Sequence, residues 1–366
     1  MLDDLIAAFD RQDYRTAAQL VKELLKQTPN HPWGQLYWGR LQEVSGKLET
    51  AEKVYRQLLR ETTIPKLAMQ ARQGIQRIDR MQQERRQQAI AAATSDPTSS
   101  EQGFLALEGV VGEARNGAIQ ALTRVMNIEP YTARLLLPSK SWRLYRHGPI
   151  GELQWYGQSL RQAGVPACWA AVPDIQKIQV FQVKYIQAVT PQATVVCQND
   201  QGQLGSLNFA WSEVSQRVEG MLPLFGQVVD LGYRDQLQWK EQTQDYTHFC
   251  DLHLPDRRCI LRIHEGSYDF DQGIVVARQA NHLDRNTIRT NWNALLQQLS
   301  HCSPGATIWS DFTGFGETAS DFSLPLFSLK SHIRLPRATD TYLDAAFHLY
   351  SSLIFLRQNI VGNSAA

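Results

Sequence analysis

The residues best able to do chemistry stand together in His248-Phe249-Cys250-Asp251-Leu252-His253, with Cys259 and His264 a short way on. Three or four of these side chains converging tetrahedrally would hold zinc. Their spacing points elsewhere. Two strands joined through Pro255-Asp256-Arg257 put His248, Cys250, Leu252 and Leu254 on one face of the first strand and His253 on the other. Cys259, Leu261 and Ile263 then share a face of the second strand, so both cysteines are expected in a core and no metal site is assigned. Asp311 with Gly314, Gly316 and Glu317 has the glycines of a phosphate loop but neither its Lys-Ser/Thr ending nor the dinucleotide spacing, and reads as a loop between strands. A Gly-x-Ser-x-Gly nucleophile elbow is absent, and Glu265, Asp269 and Asp271 fall in a turn-rich stretch where solvated charge is the default. No catalytic residue and no cofactor is assigned, and an unrecognised enzyme in the C-terminal region is kept as an alternative.

The elements that could position such groups are bounded by composition. With 366 residues, two or three domains are expected. Lys plus Arg (37) and Asp plus Glu (36) nearly cancel, so no global field drives the chain onto nucleic acid or an anionic membrane. The longest apolar run, Phe347 to Leu356, contains His348, Tyr350, Ser351 and Ser352, and no basic-then-apolar leader opens the chain. A soluble, cytoplasmic protein without membrane insertion is expected, with peripheral association left open. Its five cysteines are scattered without zinc or redox spacing, the pattern of reduced, buried thiols. The sequence does not set the oligomeric state.

Sliding the chain by 34 residues superimposes Leu2 on Leu36, Ala17 on Ala51, Leu24 on Leu58 and Leu25 on Leu59, with Tyr14 on Leu48 and Val21 on Tyr55. That period is one helix-turn-helix unit in which a small residue admits the second helix and large apolar residues fill the space between hairpins. Gln12-Asp13-Tyr14-Arg15-Thr16-Ala17, running on to Leu24, Leu25 and Pro29, resembles the tetratricopeptide repeat signature, and the second copy adds Gly39, Gly46, Leu48, Ala51, Tyr55 and Pro65. The resemblance covers residues 1 to about 65 and implies a protein-interaction module whose first helices line a groove. It would place Ile6, Phe9, Asp10, Arg40, Glu43 and Val44 on that groove, for a peptide segment or helix of another protein. The basic clamp with which some family members hold a C-terminal carboxylate is not apparent. Leu5 stands where the second copy has Gly39, so a looser first repeat is expected.

A third helical stretch from Pro65 to about Ala93 reads as the cap of the array. Its arginines define the RNA-associated alternative, in which Arg72, Arg77, Arg80, Arg85 and Arg86 would touch phosphate within the basic stretch 66–86. A solvated capping helix is the preferred reading.

The fold class expected is multidomain, with all-α tetratricopeptide-like hairpins at the N-terminus followed by an α+β region. Residues 1–92 form the repeats and cap, 93–103 a polar linker, 104–175 a small α+β domain and 176–366 a β-rich α+β domain. Strand, helix, helix, strand, helix and strand are read at 104–110, 116–126, 130–137, 142–146, 150–163 and 167–172. With Ala118-Ile119-Gln120-Ala121-Leu122 and Leu160-Arg161-Gln162-Ala163-Gly164, this order resembles the C-terminal domain of ribosomal stalk protein L7/L12; its glycine-rich turn and lysine cluster are not reproduced, so only a fold is implied. Later strands are read at 180–189, 194–198, 203–210, 306–311 and 324–333, with helices at 287–299 and after Thr339 capped by Asp340. Trp142, Trp155, Trp169, Trp211, Trp239, Trp292 and Trp309 are expected mainly in the core, with one of Trp155 and Tyr156 exposed.

Across the whole chain, the stretch from Gln244-Asp245-Tyr246 through His253-Leu254-Pro255 resembles uncharacterised cyanobacterial proteins that join short tetratricopeptide repeats to a long α+β region. The function expected is a non-enzymatic scaffold or assembly factor, and that resemblance implies a photosynthetic complex as its setting.

Overall fold

A computed structural model describes residues 1–231, 237–274, 287–337 and 340–362. Helices come first and a region with two sheets follows. Contacts divide the chain into two compact units, Met1–Ala92 and Ala93–Ala366.

In the first unit, α1 (Leu2–Asp10), α2 (Tyr14–Gln27), α3 (Pro32–Val44), α4 (Leu48–Glu61) and α5 (Pro65–Ala93) succeed one another through short turns. Local chemistry sets their starts. The Asp13 carboxylate accepts from the Thr16 N–H at 3.1 Å to cap α2, and His31 Nδ1 accepts from the Gly34 N–H at 3.1 Å ahead of Pro32 in α3. Ala17 and Ala51 are wholly buried. One cluster joins Leu5, Ala8, Phe9, Ala17, Val21, Tyr37 and Leu41, and the next joins Leu36, Ala51, Tyr55, Leu58, Leu67 and Ala71. The two hairpins fill the same place differently. Tyr55 lies against Gly39 and Gly74, so that a Cβ on Gly39 would meet the ring at 2.7 Å. One period earlier the pair is Leu5 with Val21, both fully buried in one cluster, a larger residue on one helix matched by a smaller one on the other.

The second unit begins with Ala93, and residues 93–103 are built into it. Asp96 caps a short 3₁₀ turn, Pro97–Ser100, and the Ile150 N–H donates to the Glu101 carbonyl at 2.7 Å. β1 (Gln102–Leu107), α6 (Ala114–Met126), α7 (Pro130–Leu136), β2 (Arg143–Pro149), α8 (Ile150–Gln162) and β3 (Ala167–Ala171) follow, and the three strands form an antiparallel sheet in the order β2-β1-β3. After α9 (Val172–Gln176) come β4 (Gln179–Ala188), β5 (Ala193–Gln198), β6 (Leu204–Phe209), β7 (Gln216–Leu231), β8 (Leu237–Leu254) and β9 (Cys259–His264). With β10 (Thr307–Trp309) they form a seven-stranded sheet in the order β10-β7-β8-β9-β4-β5-β6. Only β10 with β7 and β4 with β9 run parallel.

Both faces are covered at the middle of this sheet. On one, Cys250, Leu252, Leu254, Cys259, Leu261 and Ile263 pack with Trp292, Leu295 and Leu299 of α10 (Ile288–Cys302). On the other, Val218, Leu222 and Phe249 pack with Phe312 and Phe315 of α11 (Phe312–Ala319) and with Phe347, Leu349, Tyr350 and Leu353 of the last helix. Phe104, Leu144 and Cys168 of the three-stranded sheet belong to that same cluster, so the two sheets share a core.

Two readings are corrected. The Gly314–Glu317 stretch is helix α11, not a loop, because Phe312, Phe315 and Ala319 recur at helical spacing and bury together. Residues 324–333 form no strand: α12 (Ser323–Leu326) occupies the start, the Phe327 N–H closes a turn on the Ser323 carbonyl, and turn and irregular backbone follow. The last helix, α13 (Tyr342–Gly362), starts with the Asp344 carboxylate accepting from the Thr341 N–H at 3.1 Å, which does the capping expected of Asp340.

Candidate functional site

In the first unit, side-chain ties join α1 to α3 and α3 to α5. Phe9 of α1 packs its ring 4.9 Å from Tyr37 of α3, and the Arg40 guanidinium lies 5.3 Å from the Phe9 ring centre and 5.5 Å from that of Tyr37. Glu43 joins α3 to α5. It accepts a fork of two bonds from Arg77 at 2.8 and 3.0 Å, and the Tyr55 hydroxyl donates to it at 2.8 Å. Burial and the neighbouring carboxylate push the Tyr55 phenol up, and the Glu43 bond holds Arg77 above its ordinary value. Glu43 and Arg77 are 34 residues apart, so the tie between helices follows the period of the sequence.

Of the residues expected on a groove, Phe9 is buried, Ile6, Arg40 and Glu43 are half-buried, and Asp10 and Val44 are exposed, Val44 at 52%. Phe9, Arg40 and Glu43 thus tie these helices together. Val44, Asp10 and the open edge of Ile6 are what they offer outward.

The arginines of α5 form no single face. At roughly 100° per residue, Arg72, Arg77, Arg80, Arg85 and Arg86 point to different sides of the helix. Arg77 is already held by Glu43, and Arg86 is half-buried.

In the second unit the residues considered for zinc part company. His248 Nδ1 meets Glu265 Oε2 at 3.0 Å, with Arg289 beside both; burial and that guanidinium lower the imidazole's basicity against the pull of Glu265. Cys250 and Cys259 are buried thiols, raised by desolvation. His253, on the opposite face, meets Ser351 Oγ of α13 at 2.9 Å, and that hydroxyl donates to Asp251 at 2.7 Å. Asp251 in turn takes a fork from Arg262 at 2.8 and 2.7 Å, with both side chains fully buried. Serine, histidine and aspartate do meet here, but Ser351 bridges the other two and His253 Nδ1 has no partner, so no carboxylate orients the imidazole as nucleophilic catalysis requires. Among the described residues no group of His, Cys, Asp and Glu is placed to hold a metal.

Set against protein-family models, curated proteins and solved structures, the chain matches none of them.

A feature that spacing did not signal is a cleft of about 390 Å³ in the second unit, where β4, β9, the turn after β5 and the segment before α13 meet. Its residues come from Gln182 to Ala345. The parallel register puts Val183 opposite Ile263, which brings Lys184 of β4 and His264 of β9 to the same rim. His264 Nε2 meets Thr247 Oγ1 at 2.8 Å and its ring stacks on Phe249 at 4.6 Å; burial, aided by the Lys184 charge, lowers its pKa to about 4. The only sequence signal was Lys184, the one charged residue of β4. Among the described residues no helix is long and apolar enough to cross a membrane.

Proposed function

We propose that the protein is a scaffold or assembly factor that binds a segment of another protein on α1, α3 and α5. The observation that supports this reading is the pair of ties, Arg40 of α3 on Phe9 of α1 and Glu43 of α3 on Arg77 of α5, which links the three helices through their side chains. A face fixed before binding loses little conformational freedom on complex formation. Beside the ties it offers apolar Val44 and Ile6 and the charge of Asp10, a mixture suited to an amphipathic peptide or helix.

The RNA reading is less well supported, because the α5 arginines point around the helix and one of them is neutralised. Selection of random peptides on the full chain tests the proposal. Peptides with apolar and basic residues should be enriched, and Val44→Asp and Asp10→Arg should each abolish their capture while Lys53→Gln does not. Enriched peptides that bind Val44→Asp and wild type alike would remove the assignment.

A further inference from the structure

We propose that the cleft beside β4 and β9 binds a small organic anion with an apolar body. Three cations reach its wall: Lys184, Lys330 and Arg334. Of the three carboxylates there, Asp200 is held by Lys330 and His332 at 2.7 Å each, and Asp344 is held by Arg337. That leaves Lys184 and Arg334 without an ion-pair partner among the described residues, against the one unpaired carboxylate of Asp340. The balance favours an anion. His264 and His332 stay neutral near pH 7, since burial lowers both, so neither adds charge.

Lining groups also set the body of the ligand. Phe249 and Leu329 are buried at the cleft, whereas Phe327 is 58% exposed at its edge, an aromatic side chain left in water unless something covers it. Ser267 and the Gln182 amide oxygen line the cleft as neutral hydrogen-bonding groups, the Gln182 amide nitrogen being held by the His332 carbonyl. The frame is rigid behind them. The Arg262 Nη1 group donates to the Ser331 carbonyl at 2.7 Å, which ties the 327–334 segment to the buried pair with Asp251.

Isothermal titration of the full chain at low salt, with phenyl phosphate, benzoate and inorganic phosphate as probes, decides the matter. Phenyl phosphate should bind about tenfold more tightly than inorganic phosphate, the difference of one well-covered apolar group. Lys184→Gln and Arg334→Gln should each weaken it about tenfold, the loss of one charge-assisted contact. Lys184→Arg should restore binding, Phe327→Ser should bring phenyl phosphate to the level of inorganic phosphate, and Lys53→Gln in the other unit should change nothing. Absence of binding by all three probes at millimolar concentration overturns the proposal. So does equal affinity in wild type and Lys184→Gln.

Discussion

At the scale of single residues, the buried polar seam under α13 makes the most definite demands. Asp251 and Arg262 are both at 0% exposure, so each charge depends on the other and on Ser351 and the Ser331 carbonyl. Replacing Asp251 by Asn should cost about 3–5 kcal/mol in urea unfolding, because the guanidinium is left buried without its counter-charge. Exchanging both residues for apolar ones of similar size should cost much less. A small loss in the single variant would show that water reaches the pair. The imidazoles nearby tie stability to pH. His253 and His264 have pKa values lowered from 6.5 to about 4 by burial, and His348 lies well below 6.5. An unfolded chain binds these protons first, so the stabilisation is complete above pH 6.5 and is lost as pH falls from there towards 4. His253 and His264 each contribute on the order of 3 kcal/mol across that window, and His348 acts in the same direction. Denaturant midpoints measured from pH 7.5 to 4.5 should fall steeply, and His264→Gln should flatten part of the slope.

Element by element, the first unit shows a size exchange that can be tested by swapping it. Gly39 leaves room for Tyr55, while Leu5 meets Val21 one period earlier. Gly39→Leu alone should destabilise the unit by about 1–3 kcal/mol through overpacking. Adding Tyr55→Val should recover part of that loss in a double-mutant cycle, and strict additivity would show that the two sites do not couple. The same comparison explains what the sequence made legible. Helices with strong spacing, such as α2 and α4 with their buried alanines, were readable because one face carries the whole core. Strands β4, β5, β6 and β9 were readable from alternation and turn residues. The long pair β7 and β8 was only half seen: Gly220, Pro223 and Gly226 look like breakers, yet they sit in the ladder opposite Phe249, Tyr246 and Gln242. Gly220 is there because the Phe347 ring occupies the space a Cβ would take, a contact with a helix more than a hundred residues away. The cleft was illegible for the same reason, since Lys184, His264 and Lys330 become neighbours only through a parallel pairing and a long return of the chain.

For the whole molecule, two units with separate apolar clusters predict separable folding. Residues 1–92 carry two clusters of their own, so a fragment ending there should keep cooperative helical unfolding by circular dichroism. A fragment that melts without a transition would mean that its stability is borrowed. No such division is expected between residues 104–175 and the remainder of the second unit, whose sheets share the core under α13. Partner binding by the first unit and anion binding by the cleft of the second are then separate proposals, each with its own variants. The most direct test of the central claim is hydrogen–deuterium exchange of the full chain with and without a selected peptide. Amide protection should rise in Leu2–Asp10 and Leu36–Val44, and Val44→Asp should erase the change. Protection confined to residues beyond 104, or unchanged in Val44→Asp, would contradict the account.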